Sequence, residues 1–138
     1  METNQINDLI FIVDDDVFFN NLFEYTIHNQ TKLKVVSHKN PNDCFLSLEK
    51  GLIPEIIFLD YNFNGYDEAQ MNGLDALSML KASYPTLSIV LISSNSTQEI
   101  LIKTSKEGAL GYFIKSTNTM NGVLNFLRNY YYQKRYFI

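Results

Sequence analysis

Three aspartates in a row, Asp14, Asp15 and Asp16, follow directly on the apolar run Leu9 to Val13. Two carboxylates about 4 Å apart repel by roughly 4 kcal/mol at an effective dielectric near 20. A positive guest relieves that repulsion. Mg²⁺ is the natural one, because it is held by one or two carboxylates, waters and phosphoryl oxygens. Asp16 stands where a helix would begin and is suited to capping it. Taken alone, the triplet reads equally well as solvated loop residues and a cap. Three further apolar runs also close on reactive groups. "EIIFLD" (55–60) ends on Asp60, "LSIVLIS" (87–93) on Ser93 with Ser94 behind it, and "LGYFIK" (110–115) on Lys115. Carboxylates, a hydroxyl and an ammonium brought to one place could hold a cation and a phosphoryl group together.

What could bring them together is the arrangement of the runs. With "LKVVSH" (33–38) there are five, each short and rich in Val, Ile, Leu or Phe. Continuous apolar runs of this length predict strands covered on both faces of a parallel sheet. Helical spacing separates them. Phe19, Leu22, Phe23 and Ile27 mark a helix over 17–29. A second is predicted over 41–50, with Asn40 as N-cap and Pro41 at its first position. Leu74, Leu77 and Leu80 mark a third over 73–84, ending before Pro85. Ser96-Thr97-Gln98-Glu99 spells a capping box for a fourth over 97–107, and Val123, Leu127 and Tyr130 lie on a fifth over 119–132. Strict alternation predicts a three-layer, doubly wound α/β fold with right-handed crossovers. In such a sheet, ligands sit beyond the carboxyl ends of the strands, where all the reactive groups fall.

Composition narrows the partners. The chain has 138 residues, about one domain, and 46% hydrophobic residues, enough for a core. A net charge of −4 argues against nucleic acid. The single cysteine, Cys44, fits a reducing compartment, and no apolar run reaches the roughly 18 residues of a membrane span. A cytoplasmic chain is expected, with no membrane partner, as a monomer or weak dimer. His28 and His38 have no partner by spacing, and no acid follows Lys115.

Through "FIVDDD", "IIFLDYNF", "IVLISSN" and "GYFIKS", in that order, the chain resembles the receiver domain of two-component response regulators. The likeness extends over about residues 7–132, so residues 1–138 read as one receiver domain. It implies a flavodoxin-like five-stranded sheet of order 2-1-3-4-5, the order the handed fold class is known by. It further implies that Asp60 is the phosphoacceptor and that Asp14, Asp15, Asp60 and the backbone carbonyl of Asn62 hold Mg²⁺. Ser93 and Lys115 would bind the phosphoryl group, Ser93 and Tyr112 would form a switch, and Asn62 and Asn95 would tune the site. The donor would be a histidine kinase or histidine phosphotransfer protein, and the output a conformational change toward an unknown downstream protein. No enzyme beyond slow self-dephosphorylation is implied. With nothing after the fifth helix long enough for a DNA-binding domain, output by protein contact or onward phosphoryl relay is expected.

Two departures from the family pattern stand out. Ser116 occupies the place of a proline usually held cis, and a cis bond before a non-proline residue costs about 2.5 to 4 kcal/mol. A trans Lys115–Ser116 peptide and a loosened loop are therefore expected. The loop from Asp60 to Gly73 is also long, and it carries Asp67 and Glu68. Its default reading is a surface insertion. Two rival functions remain. One is a receiver-like protein-interaction module that is not regulated by phosphorylation. The other is a haloacid dehalogenase-type phosphatase, whose nucleophile motif Asp14-x-Asp16-Val17 imitates, but which needs an acidic pair after the lysine.

Overall fold

The computed structural model describes residues 5–62, 72–94 and 97–138. Strand and helix alternate throughout. The order is β1 (Leu9–Val13), α1 (Val17–Gln30), β2 (Lys34–His38), α2 (Pro41–Glu49), β3 (Ile56–Asp60), α3 (Gly73–Ser83), β4 (Ser88–Ser93), α4 (Gln98–Lys106), β5 (Gly111–Ile114) and α5 (Thr119–Gln133). The strands form one parallel sheet in the order β2-β1-β3-β4-β5. Both the alternation and the order match the expectation from sequence.

Four helices, α1 to α4, start where a side chain satisfies one of their free N–H groups. Asp16 accepts the Phe19 N–H, Asn40 that of Asp43 behind Pro41, and Asn72 that of Asp75. For α4 the cap is Thr97, which accepts from Ile100 N–H, so the helix begins one residue later than the capping-box spelling implies.

Side-chain alternation along the strands builds two cores. Ile10, Ile12, Ile56, Phe58, Val90 and Ile92 face Phe23 and Ile27 of α1 and Val123, Leu127 and Tyr131 of α5. Phe11, Val13, Ile57, Leu59, Ile89 and Leu91 face Cys44 and Leu48 of α2 and Leu77 and Leu80 of α3. Two apolar faces on each central strand explain why those strands read as unbroken runs. The lone histidine reading is corrected for His38. It is buried, its Nε2 lies 2.8 Å from Ser47 Oγ, and its ring meets Phe11 edge-on.

The aromatic C-terminal segment packs on the first core. Tyr131 is fully buried and its hydroxyl donates to the Asn7 carbonyl at 2.9 Å. The neighbouring Tyr130 hydroxyl donates to Glu55 Oε2 at 2.6 Å. Tyr131→Phe leaves that Asn7 carbonyl without its partner and is expected to cost about 1 kcal/mol in urea unfolding. An unchanged midpoint would mean that water replaces the phenol.

Candidate phosphoryl and metal site

The β1 end sets the floor of the site. Asp14 sits just past β1 and is wholly buried. Its backbone N–H donates to the His38 carbonyl at 2.9 Å, and its own carbonyl accepts the Asn20 amide at 2.8 Å. Its side chain is fixed too. Oδ1 accepts the Asp16 N–H at 2.9 Å, and Oδ2 lies 2.6 Å from Lys115 Nζ, its one polar partner among the described residues.

Asp60 arrives from the end of β3, buried to 3% exposure. One carboxylate oxygen from each of Asp14, Asp15 and Asp60 falls within 4.8 Å of the others. Lys115, beyond β5, spans the group at 3.9 Å from Asp60 Oδ1, with its ammonium 4.6 Å above the Phe19 ring. The lysine is therefore nearer Asp14 than Asp60.

This geometry explains the electrostatics. Burial pushes the Asp60 carboxyl up to about 7, helped by the negative charge of Asp14 and opposed by Lys115. Asp14 is also pushed upward by burial, with Lys115 working against the shift. The ammonium stands closer to Asp14 than to Asp60, so it favours the ionised form more strongly at Asp14.

Hard oxygen donors in a largely buried cluster, one of them, Asp14 Oδ2, with no polar partner but an ammonium among the described residues, fit a magnesium ion. Ser93 is buried at the end of β4, and the Asn62 amide donates to its hydroxyl at 3.2 Å. Tyr112 of β5 is partly buried against the second core and hydrogen-bonds Ser93. Burial raises the Tyr112 phenol above its usual range, with that hydrogen bond opposing. Asp14, Asp15, Asp60, Ser93, Lys115 and Asn62 thus share one rim, with Tyr112 joined through Ser93. Asn95 lies outside the described residues, as do Asp67 and Glu68 of the long loop.

Two expectations about the lysine loop part company. No peptide bond is cis among the described residues, so Lys115–Ser116 is trans as expected. The loop is not loosened, however. Thr119, 5% exposed, accepts the Ser116 N–H through its hydroxyl, and Ser116 Oγ accepts the Asn118 N–H at 3.2 Å. The correction has a simple cause: side-chain hydroxyls knit the turn that a proline ring would have stiffened.

Sequence reasoning missed Asn20, Phe19 and Thr119. Asn20 had a signal, a polar residue on the buried face of α1 beside Phe19, Phe23 and Ile27. Thr119 had none, because its role depends on where the turn folds back.

Comparisons with known proteins agree with this fold. The family model described as the response regulator receiver domain matches residues 10–124. The nitrate/nitrite response regulator protein NarL of Escherichia coli K12 is 28% identical over 113 residues, covering 82% of this chain and 50% of NarL. The chain spans half or less of the length of the curated relatives it matches. A CheY-like receiver domain protein of Methanospirillum hungatei superposes with a TM-score of 0.78 at 16% identity, over 93% of this chain and 96% of the other. A Burkholderia pseudomallei response regulator, solved with a phosphorylated aspartic acid and a calcium ion, gives 0.72 at 19%, over 86% and 65%. The alternating fold, the order of its sheet and the match over residues 10–124 agree: this chain belongs to the response regulator receiver domain family.

Proposed function

We propose that Asp60 accepts a phosphoryl group from a phosphohistidine on a kinase or phosphotransfer protein, and that the modified chain signals through α4, β5 and α5. One observation carries the reading: the buried Asp60 carboxyl shares a cluster with buried Asp14 and half-buried Asp15 and lies 3.9 Å from the Lys115 ammonium. In the reaction an Asp60 oxygen forms the new bond to phosphorus as the P–N bond to the donor imidazole breaks. The imidazole keeps the bonding electron pair and takes a proton from solvent.

Asp14, Asp15, Asp60 and the Asn62 carbonyl would hold Mg²⁺. When bound, the ion would supply positive charge against the phosphoryl oxygens and favour the ionised carboxylates. Lys115 supplies a second positive group, released from Asp14 to meet the incoming oxygens. Ser93 turns its hydroxyl proton to the phosphoryl group, while its oxygen can still accept from the Asn62 amide. Because Tyr112 hydrogen-bonds Ser93, a shift of Ser93 is felt on β5. Beside it, α4 is held lightly: Thr104 alone is buried in that helix, and Leu101 and Ile102 are exposed at 39% and 50%. A local gain of negative charge would thereby bias an element that few contacts restrain.

The test is intact mass after incubation with Mg²⁺ and a small acyl phosphate. One phosphoryl group on wild type and none on Asp60→Asn is the expected result. No addition to wild type, under conditions that modify another receiver, would favour an interaction module that phosphate does not regulate.

A further inference from the structure

We propose that Thr119 is a positioning residue for Lys115. The proposal rests on the phosphoryl-transfer reading above for its functional meaning, and on hydrogen bonds alone for its structural one. The Thr119 hydroxyl accepts the N–H of Ser116, the residue after the lysine. The same oxygen lies 3.0 Å from the carbonyl of Ile114, the residue before it, and 3.0 Å from that of Ser116. A hydroxyl has one proton to give. Ser116 C=O also accepts the Thr119 N–H at 3.3 Å, and the proposal gives the hydroxyl proton to Ile114 C=O.

The peptide planes on both sides of Lys115 are thereby tied to one buried atom. The Lys115 N–H adds a third tether, donating to the Ser93 carbonyl at 2.8 Å. With the flanking planes fixed, the backbone torsions of Lys115 are fixed, and so is the line along which its side chain leaves the backbone. That line carries Nζ over Phe19 to Asp14 and Asp60. Ser116 provides no ring to hold the turn, and Thr119 supplies the constraint in its place. Asn118, the helix N-cap, makes no side-chain capping bond, so the turn depends the more on its neighbour.

The test compares Thr119→Val, which keeps the shape and loses the hydroxyl, with Thr119→Ser, which keeps the hydroxyl. Two readouts are taken. The first is the Lys115 Cε resonance in ¹³C spectra of the metal-free chain, assigned by its loss in Lys115→Met. The second is the rate of phosphoryl uptake from acetyl phosphate, read beside Mg²⁺ affinity. In Thr119→Val the Lys115 resonance should move to the position of solvent-exposed lysines. Uptake should slow about ten- to a hundredfold, the scale on which displacement of a positioned group is felt. Mg²⁺ affinity should not weaken, because the carboxylates stay in place, whereas general damage would weaken both. Thr119→Ser should restore the resonance and the rate. If the valine variant does not fold, Thr119→Ala removes the hydroxyl without adding a methyl group, and the same shift is expected.

A wild-type Lys115 resonance in Thr119→Val or Thr119→Ala would overturn the proposal. So would a shifted resonance that Thr119→Ser fails to restore. If wild type takes up no phosphoryl group, the functional reading falls, while the lysine resonance still decides what Thr119 does.

Discussion

Asp60→Asn is expected to take up no phosphoryl group and, in metal-free buffer above pH 7, to be more stable than wild type by about 2 to 4 kcal/mol. The first outcome follows because an amide cannot form the acyl phosphate. The second follows from the carboxyl pushed up to about 7 by burial and by Asp14. In an unfolded chain the same group titrates near 3.9. Between those values the folded protein holds a proton that the unfolded chain has released. The stability from this group is fully present below pH 4 and is lost as pH rises through about 7. A shift of some three pH units corresponds to about 4 kcal/mol, and the charge shared with Asp14 and Lys115 lowers the share that one substitution recovers.

Thermal melts from pH 4 to 8 would read the effect. Wild type without metal should lose stability across that range, and Asp60→Asn should lose much less. Millimolar Mg²⁺ should restore wild type at pH 8, since a ligand of the folded state stabilises it by mass action. It should do less for Asp60→Asn, which offers one carboxylate fewer. A wild-type melting temperature flat from pH 4 to 8 without metal would mean that Asp60 is not buried as described.

Gly73→Ala is expected to destabilise the chain by about 2 to 3 kcal/mol and to disturb Asp60 itself. A Cβ at Gly73 would stand 2.3 Å from the Asp60 carbonyl oxygen and 2.5 Å from Tyr61 Cα. Both atoms are backbone, so neither can swing away as a side chain tip can. Gly73 N–H also donates to the Tyr61 carbonyl at 2.8 Å, which clamps the start of α3 onto the end of β3. Overpacking of this kind usually costs 1 to 3 kcal/mol, and here no flexible neighbour absorbs it. The displaced atoms carry Asp60, so Mg²⁺ affinity and phosphoryl uptake should fall together with the urea midpoint. Mutant and wild type agreeing in both would show that the backbone yields without strain. The close approach explains why the chain needs glycine at this position although its φ is not in the left-handed region.

Much of the fold was legible in the residues themselves. Five apolar runs, each four to six residues long in the structure, and the amphipathic spacing between them allow few architectures. Caps such as Asp16 and Asn40 are local interactions, so they could be read directly. The site was legible to the extent that its residues end strands: Asp14, Asp60, Ser93 and Lys115 reach the same rim because parallel strands deliver their last residues to one edge. Asn20 was readable in principle, since a polar residue on a buried helical face needs a partner, and it finds the Asp14 carbonyl.

Tertiary structure decided the rest. Whether Lys115 leans to Asp14 or Asp60 is a matter of about an ångström, set by Phe19 beneath it and the turn behind it. That His38 would meet Ser47, and that Thr119 would close the lysine turn, depended on distances between segments that the order of residues does not encode locally. The raised carboxyl of Asp60 has the same origin. Charge and burial act through space, and the sequence supplies the aspartates while only the folded chain sets how far apart, and how far from water, they stand.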